Sequence, residues 1–311
     1  MGVELAAVKA MLDDTHPALP STRRDMINYT LGHIGGHNIV IAVLSEIGNN
    51  RAAQVAVQLL NDFTQIRFGL LVGIGGGVPS DDNDIRLGDV VVSKPSGEHG
   101  GVVQYDMGKF RTSGRFERTG TLKKPPTLLL TTIGNLQAEH LQRGSNVAKL
   151  LEEMDRRWPE MRANGFIFPG AEYDQLFEPT YDHPDGPTCQ KCSQDQIIDR
   201  FPRYDNNPKV FYGTIGSGNA VIKDAKTREK LREDLGVVCV EMEAAGLMDE
   251  FQCLVIRGIC DYADSHKNKI WQPYAAATAA AYMKELLLAL PVKQTEGIPN
   301  AEKALHSREL P

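Results

Sequence analysis

The sequence predicts a single doubly wound α/β domain, in which helices flank a mixed, largely parallel central sheet. Short apolar runs that suit buried strands alternate with segments whose apolar residues recur at helical spacing. Three of these apolar runs are followed directly by glycine-rich or acidic motifs, as is typical of the ligand-binding edge of such a sheet. A chain of 311 residues is compatible with one domain of this kind that carries long loops.

The first part of the chain supplies a hairpin and the beginning of the sheet. Residues 26–31 and 38–44 are β-like and flank turn residues, which predicts a hairpin. Helical spacing over residues 52–62 precedes a continuous apolar run at 68–74, which predicts half of a βαβ unit. Residues 90–92 predict another short buried strand, and Val102, Val103 and Tyr105 mark the strand after it.

The second part repeats the alternation after a long interruption. Helical patterns at 128–141 and 147–158 are followed by residues 159–209, where periodicity fades among prolines and aspartates, and which we interpret as an excursion. Regular elements then resume in the order strand 210–215, helix 224–235, strand 237–240, helix 243–250, strand 254–259 and amphipathic helix 273–290. We therefore expect one domain over residues 1–291, followed by a polar, mobile tail at 292–311.

The composition excludes several classes of protein. Hydrophobic residues make up 41% of the chain and charged residues 24%, which is enough apolar material for a sizeable core. A net charge of −6 argues against a nucleic-acid partner. We expect no membrane partner and a cytoplasmic location, because the chain has neither a long apolar run nor a signal-peptide pattern. Five cysteines, three of them within apolar runs, make a disulfide scaffold improbable.

A glycine cluster follows the apolar run at 68–74. Gly75, Gly76 and Gly77 lie where bare backbone can approach a ligand closely. The cluster is not the dinucleotide fingerprint, because Val78 occupies the position of its third glycine. Simple turn geometry is the alternative interpretation, and position after a strand favours ligand binding.

Two acidic motifs end later strands. Glu241, Met242 and Glu243 follow the strand at 237–240, and Asp261 follows the strand at 254–259. A carboxylate at such a position can accept both hydroxyl hydrogens of a sugar diol. The alternatives are an acidic first helical turn and a loop cap. Because all three motifs follow strands, we expect them to converge on one crevice.

One sequence feature suggests a metal. Cys189, Cys192 and the upstream His183 offer three potential zinc ligands. A closed structural zinc site requires four ligands, so we expect this cysteine pair to be structural or incidental. The sequence thus predicts no bound metal and no other cofactor.

The ordered motifs resemble the nucleoside phosphorylase and nucleosidase superfamily, which includes purine and uridine phosphorylases and methylthioadenosine/S-adenosylhomocysteine nucleosidases. The residues of these motifs are especially similar to those of fungal nucleoside phosphorylase-like domains, which are often the first domain of multidomain receptor-type proteins. The resemblance implies cleavage of the N-ribosidic bond of a purine nucleoside. It rests on GIGGGVP (73–79), GDVVVS (88–93), SGNAVI (217–222), VEMEAAG (240–246) and RGICDYAD (257–264).

The resemblance also assigns roles position by position. Met242 and Glu243 match the residues that hold the ribose, and Glu241 matches their support. Asp261 matches the acid that helps to place a proton on N7 of the purine. Val221 and Ile222 match positions that line the purine pocket, although relatives often have phenylalanine at the first of them. Glu4 resembles the glutamate that orients the attacking water in hydrolytic members.

The chain departs from the family pattern before Glu4. Relatives usually have a buried first strand there, whereas Met1, Gly2 and Val3 alone precede this glutamate, so we expect a core strand to be missing and a sheet edge to be unpaired. Hydrolysis is the favoured reaction. Phosphorolysis, with phosphate as co-substrate, ranks second because no arginine lies in the glycine motif. A non-catalytic nucleoside-sensing module is the third alternative, and the family likeness makes a homo-oligomer possible.

Overall fold

A computed structural model describes residues 1–19, 27–112, 114–184, 186 and 188–301. Its helices are α1 (Gly2–Met11), α2 (Asn49–Asp62), α3 (Thr127–Arg143), α4 (Val147–Arg157), α5 (Pro159–Ala163), α6 (Ala225–Leu235), α7 (Ala244–Glu250), α8 (Gln272–Ala289) and α9 (Val292–Thr295). Its strands are β1 (Asp14–Thr15), β2 (Thr30–Ile34), β3 (His37–Ile41), β4 (Gly69–Gly77), β5 (Val90–Ser93), β6 (Val102–Gln104), β7 (Gly108–Phe110), β8 (Phe116–Arg118), β9 (Val210–Ser217), β10 (Val237–Glu241) and β11 (Cys253–Asp261).

The central sheet is mixed and largely parallel, and helices flank it, which confirms the predicted fold class. Strand β4 pairs in parallel with β11, and β9 pairs in parallel with β5, β6 and β10. The β4–β10 and β5–β11 pairs are antiparallel. Strand alternation with helices therefore gave the correct architecture, although it does not reveal these two antiparallel pairs.

Five strands of the sheet close into a ring in the order β10-β4-β11-β5-β9, because β10 pairs with both β4 and β9. The expectation that a missing first strand leaves a sheet edge unpaired is therefore wrong. Strand β10 hydrogen-bonds to β4 on one side and to β9 on the other, and so covers the edges of both strands. Residues 2–11, which precede the sheet, form helix α1 and pack against α8 and β4.

Helix α8 lies in the core rather than at the surface. It packs against α1, α3, α4, β4 and β11, and the helix is buried on almost every side. The sequence pattern predicts an amphipathic helix with Ala277, Ala281 and Leu288 on its apolar side and Glu285 away from that side, and this is wrong for Glu285, which is 4% exposed. Its Oε1 accepts a hydrogen bond of 2.7 Å from the backbone N–H of Asn146 and contacts His140, whereas its Oε2 is buried with no hydrogen-bond partner among the described residues.

Outside the ring, β2 and β3 form the predicted antiparallel hairpin, with Thr30 opposite Ile41, and β1 pairs with β2. Residue 26, where the sequence pattern placed the start of the hairpin, lies outside the described residues. After α5, the described residues of the excursion up to residue 209 include three short 3-10 turns and a bridge between Phe177 and Ile197. The excursion packs over the carboxyl end of β11 through contacts described below.

The packed part of the chain continues beyond the predicted boundary at residue 291. Helix α9 follows, and Ala301 is fully buried, with its backbone N–H donating to the carbonyl of Ile66 at 2.7 Å. Residues 302–311, the rest of the predicted tail, lie outside the described residues. Within the part of the chain that the structure describes, no helix combines the length and apolarity needed to cross a membrane.

Candidate active site

A buried arginine, Arg257 on β11, organises the acidic residues at one end of the sheet. The arginine is 2% exposed. Its Nη2 donates to a carboxylate oxygen of Glu241 and, at 3.1 Å, to Oε2 of Glu243. Glu241 is the last residue of β10 and Glu243 comes two residues later, and pairing of β10 with β4 brings both beside the arginine. Burial by itself lowers the pKa of Arg257, but the negative charges of Glu241, Glu243 and Glu4 outweigh it and hold the pKa above its usual value, so the guanidinium remains charged.

Glu241 is the most completely bonded carboxylate of the group. It is 6% exposed, and besides Arg257 it accepts hydrogen bonds from the backbone N–H groups of Glu243 (3.0 Å) and Ala244 (3.0 Å). These N–H groups belong to the first turn of α7, which has no intrahelical partners for them. Glu241 therefore ties the strand end to the helix start, and it supports Glu243 without reaching a ligand itself.

Glu243 retains free bonding capacity. Its contact with Arg257 occupies Oε2, and its side chain is 13% exposed, so Oε1 is available to a ligand. Burial raises the pKa of Glu243, against the opposing effect of Arg257, and the neighbouring carboxylates of Glu241 and Glu4 raise it further. Met242 lies beside it and is half-buried.

Two polar residues that the sequence did not single out fix the start of α7. The side-chain oxygen of Asn49 accepts from the backbone N–H of Gly246 (3.1 Å) and from the hydroxyl of Ser217 (3.1 Å). The hydroxyl oxygen of Ser217 in turn accepts from the backbone N–H of Ala245 (3.0 Å). Ser217 opens the SGNAVI motif, so that motif supports the acidic helix start from the neighbouring strand β9.

Glu4 reaches the same cluster from α1. Its Oε1 accepts a hydrogen bond of 3.0 Å from the backbone N–H of Ile74, and its Oε2 lies 2.6 Å from the N-terminal ammonium group. A Cβ built on Gly73 would lie 2.3 Å from Glu4 and 2.5 Å from Nη1 of Arg257, so glycine at this position is what allows the two to meet. The structure therefore brings together Glu4, Arg257 and Glu243.

Asp261 ends β11 and has different partners. It is 7% exposed; its Oδ1 accepts from the backbone N–H of Ala263 at 2.9 Å and lies 3.0 Å from Nζ of Lys267. The thiol of Cys260 donates to Oδ2 at 3.1 Å. Burial raises the pKa of that thiol well above its usual range, so it keeps the proton that it donates.

A bulge in β11 sets the direction of Asp261. Ile259 lies opposite Gly75, but Asp261 lies opposite Gly76, so two residues of β11 pass while β4 advances by one. Because side chains alternate along a strand, this extra residue turns Asp261 to the other face of the pleat. A Cβ on Gly75 would meet Cys239 and Arg257, whereas one on Gly76 would lie 3.0 Å from Asp261. The glycines of β4 thus lie between Asp261 and the glutamates around Arg257.

The glycine cluster belongs to the strand and not to a turn. Gly75, Gly76 and Gly77 are buried residues of β4, so the predicted strand end at residue 74 is three residues short. A Cβ on Gly77 would lie 2.8 Å from Ile259, and the space beside Gly75 and Gly76 is likewise taken by neighbouring side chains. Because these glycines have no Cβ, they leave room for the side chains of Arg257 and Asp261. Contact of their backbone with a ligand stays a prediction.

The predicted purine-pocket residues differ in their placement. The backbone carbonyl of Ile222 accepts from Nζ of Lys267 at 3.4 Å, so Ile222 adjoins the Asp261 group. Val221 is 47% exposed. A cavity of about 230 Å³ borders Asp261, Cys260 and His266 and extends under the excursion to Cys189. Glu4, Met242 and Glu243 do not line this cavity, which opens on the excursion side of Asp261.

Sequence reasoning missed Arg257 and Lys267 as members of the site. Arg257 is the first residue of the RGICDYAD motif, and Lys267 lies three residues past the end of that motif. A basic residue in a buried strand needs a carboxylate partner, and this rule could have linked Arg257 to the acids at 241 and 243.

A family model described as the phosphorylase superfamily matches residues 1–289. The chain therefore belongs to the phosphorylase superfamily, which confirms the resemblance drawn from its motifs.

Curated relatives match different shares of the chain. A nucleotide-binding leucine-rich repeat (NLR)-like protein of Hyaloscypha variabilis is 52% identical over 290 residues, which cover 91% of this chain and 28% of that protein. The ATP nucleosidase Cap17 of Escherichia coli is 26% identical over 303 residues, covering 92% of this chain and 49% of that protein. A 5'-methylthioadenosine/S-adenosylhomocysteine nucleosidase of Mycobacterium bovis is 31% identical over 90 residues, covering 27% of this chain and 35% of the relative. The chain thus spans less than half the length of these relatives.

Solved structures share the fold. The 5'-methylthioadenosine/S-adenosylhomocysteine nucleosidase of Neisseria meningitidis, in complex with methylthio-immucillin-A, superimposes with a TM-score of 0.58 at 17% identity, covering 93% of this chain and 96% of that one. Futalosine hydrolase of Helicobacter pylori gives a TM-score of 0.57 at 16% identity, covering 93% and 95%. At these identities the likeness concerns the fold alone.

Proposed function

We propose that this chain hydrolyses the N-ribosidic bond of a purine nucleoside or nucleotide. The observation that carries the proposal is the cluster of Glu4, Glu241 and Glu243 around Arg257, which lies across the glycine run from Asp261. Membership of the phosphorylase superfamily and the nucleosidases among the relatives support the reaction class.

The charge of the cluster favours water over phosphate as the nucleophile. Three carboxylates lie around two positive groups, the Arg257 guanidinium and the N-terminal ammonium group, and Arg257 is already engaged by Glu241 and Glu243. A phosphate dianion needs charge-assisted donors and would be repelled by this excess of negative charge. A neutral water molecule is not repelled, and Glu4, which keeps free lone pairs, can accept one of its protons.

The sugar and the base have separate partners in this scheme. The free oxygen of Glu243 accepts the hydroxyl hydrogens of the ribose, and Met242 packs against the sugar face. Asp261 takes up a proton from solvent once Lys267 has moved away from it, and it delivers this proton to N7 of the purine, so that the base leaves as a neutral species. Lys267 holds the Asp261 carboxylate before substrate binds, and Ile222 packs against the base.

Product analysis tests the proposal. The protein is incubated with adenosine, inosine, guanosine and ATP, each with and without inorganic phosphate, and the sugar product is identified. ATP is included because one relative is named as an ATP nucleosidase. Release of a free reducing sugar, at a rate that phosphate leaves unchanged, is the expected result. Formation of a sugar 1-phosphate would instead identify a phosphorylase.

One comparison favours a second candidate function. The relative that is 52% identical is named as an NLR-like protein, and this chain covers 28% of it. The domain is then a nucleoside-sensing part of a receptor-type protein that binds without turnover. Saturable nucleoside binding by calorimetry, with no sugar product from any of the substrates above, would select this function over hydrolysis.

A further inference from the structure

The excursion carries a second cluster of reactive side chains, which the proposed reaction does not use. The ligand atoms of His183, Cys189 and Cys192 all lie within 4.8 Å of one another. The chain folds into a tight turn here, because Cys189–Lys191 is a 3-10 helix and the backbone N–H of Cys192 donates to the carbonyl of Cys189 at 3.0 Å. This turn places both sulfur atoms beside the imidazole of His183.

The donor set matches zinc. Two thiolates and a neutral imidazole neutralise a divalent cation, and zinc binds such ligands at about 2.0–2.3 Å in a tetrahedron. Those bond lengths require the ligand atoms to lie about 3.5–3.8 Å apart, so a contraction of about 1.3 Å at most closes the cluster. The sequence offered these three residues and predicted no metal. Their convergence in space was not visible from the sequence.

A neighbouring group supplies an independent observation. His266 is 6% exposed, and both nitrogens of its ring are buried without a hydrogen-bond partner within the described part of the chain. Its ring lies 5.2 Å from that of His183, and its backbone carbonyl lies 3.8 Å from the sulfur of Cys189. A buried imidazole with two unpartnered nitrogens is costly unless a ligand satisfies it. Its ring borders the cluster and is the nearest such group that the structure offers for a fourth ligand, although its nitrogens are not among the atoms that lie within 4.8 Å of one another.

The cluster also joins the excursion to the proposed reaction centre. The backbone N–H of His183 donates to the hydroxyl of Ser265 at 2.9 Å, and the ring of Phe177 stacks on His266 at 3.9 Å. Ser265 and His266 lie between Asp261, at the end of β11, and Lys267, which pairs with it. Whatever holds the cluster therefore holds the loop that positions Lys267.

From this geometry we infer that the chain binds a structural zinc ion through His183, Cys189 and Cys192, with His266 as the side chain available for the fourth position. The ion fastens the excursion onto the loop after β11 and stabilises the wall of the cavity that borders Asp261. Binding releases the thiol protons and involves no change of oxidation state. The inference does not depend on which reaction the domain catalyses.

Metal analysis of the full chain tests the inference. The protein is purified under reducing conditions, equilibrated with Zn²⁺, freed of excess metal by gel filtration, and assayed by elemental mass spectrometry. Wild type retains equimolar zinc. Cys189→Ser, Cys192→Ser and His183→Asn each lose a ligand, and since outer-shell changes alone cost about 10–100-fold in metal affinity, each variant loses more than that. Cys253→Ala and His99→Gln, which alter a cysteine and a histidine outside the cluster, retain equimolar zinc.

Cobalt substitution keeps the inference testable if the ligand variants do not fold. Co²⁺ bound to wild type gives thiolate-to-cobalt charge-transfer absorption and the intense visible bands of a tetrahedral site, and Zn²⁺ displaces them. Wild type that retains no zinc after equilibration would overturn the inference. A Cys189–Cys192 disulfide in protein purified under reducing conditions, or zinc content unchanged in the Cys189→Ser/Cys192→Ser double variant, would overturn it as well.

Discussion

Two charged clusters at the end of the sheet differ in how firmly their charges are held in place: Glu241 and Glu243 around Arg257, and Asp261 with Lys267. Arg257 is a buried strand residue that contacts Glu241 and Glu243, and the carboxylate of Glu241 is bonded on all sides. Asp261 is paired with Lys267, whose side chain is 22% exposed and extends from a loop. The cluster around Arg257 is held by β10, β11 and the start of α7. The charge beside Asp261 depends on one long and flexible side chain.

This difference assigns different tasks to the two groups. The carboxylate of Glu241 is bonded to a buried guanidinium and to two backbone N–H groups, so in the proposed mechanism Glu241 positions its neighbours. In the proposed mechanism Lys267 leaves Asp261 when substrate enters: its side chain is 22% exposed and extends from a loop, so its Nζ can reach solvent, and contacts with the bound purine offset the loss of the ion pair. On this proposal, proton transfer belongs to Asp261, and the Arg257 group binds the sugar and the water.

The largest expected loss of activity comes from Asp261→Asn. The amide is nearly isosteric but cannot deliver a carboxylic proton, so turnover falls by about 10²–10⁴-fold. The melting temperature changes little, because the backbone N–H of Ala263 keeps an acceptor. Asp195→Asn, an exposed aspartate of the excursion, is the matched control and keeps wild-type turnover. An Asp261→Asn variant with most of its turnover would remove the acid from the mechanism.

Glu241→Gln makes the same chemical change at the other group and has the opposite outcome. It removes one charge partner of a buried guanidinium, and breaking a buried ion pair in this way costs about 3–5 kcal/mol of unfolding free energy. Urea unfolding followed by tryptophan fluorescence measures the loss beside Asp261→Asn. Equal stabilities of the two variants would abolish the distinction between the groups.

Glu4→Gln probes the nucleophile. The amide oxygen can still accept the hydrogen bond from Ile74, so the position of α1 is kept, but the base for the water is lost. Turnover falls by about 10²-fold or more, as for other losses of a general base, while nucleoside affinity persists. Kinetics and calorimetry on the same preparation check both statements, with the exposed Glu46→Gln as control. If affinity falls in step with turnover, Glu4 contacts substrate rather than water.

The sequence predicted the local elements well, and it failed where the information is spatial. Periodicity located the strands, and the acids at 241, 243 and 261 end strands as expected. The ring closure by β10 could not be predicted, because pairing of β10 with β4 depends on sheet curvature and leaves no local pattern. The bulge at the end of β11 likewise leaves no pattern in the sequence, although it decides which way Asp261 points. Glu285 was misplaced because a buried carboxylate and an exposed one look the same in a helical pattern.

Glu243→Gln is expected to have a smaller effect, which depends on the substrate. Hydrogen bonds to a charged group contribute about 1.5–3 kcal/mol, so loss of the carboxylate weakens binding of ribonucleosides by about 10–100-fold. The 2′-deoxy analogues lose less, because one of the hydroxyl donors is already absent. Calorimetric titration of both substrate series, in the inactive Asp261→Asn background, measures the two losses. Equal losses for ribose and deoxyribose would place Glu243 outside the sugar site.

The same carboxylate makes sugar binding depend on pH. Burial raises the pKa of Glu243 above the usual value of a glutamate, and Arg257 opposes this only in part. The ionised form that accepts two hydroxyl hydrogens is therefore complete above this raised pKa, and it is lost as the pH falls through it, earlier than for an exposed glutamate. Ribonucleoside affinity in the Asp261→Asn background should decline by a few-fold as the pH is lowered from about 7 toward about 5, within the range of shifts seen for buried glutamates. In Asp261→Asn/Glu243→Gln the decline disappears, because the amide does not titrate. If the double variant keeps the decline, another group is responsible for it and the raised pKa of Glu243 has no part in ribose binding.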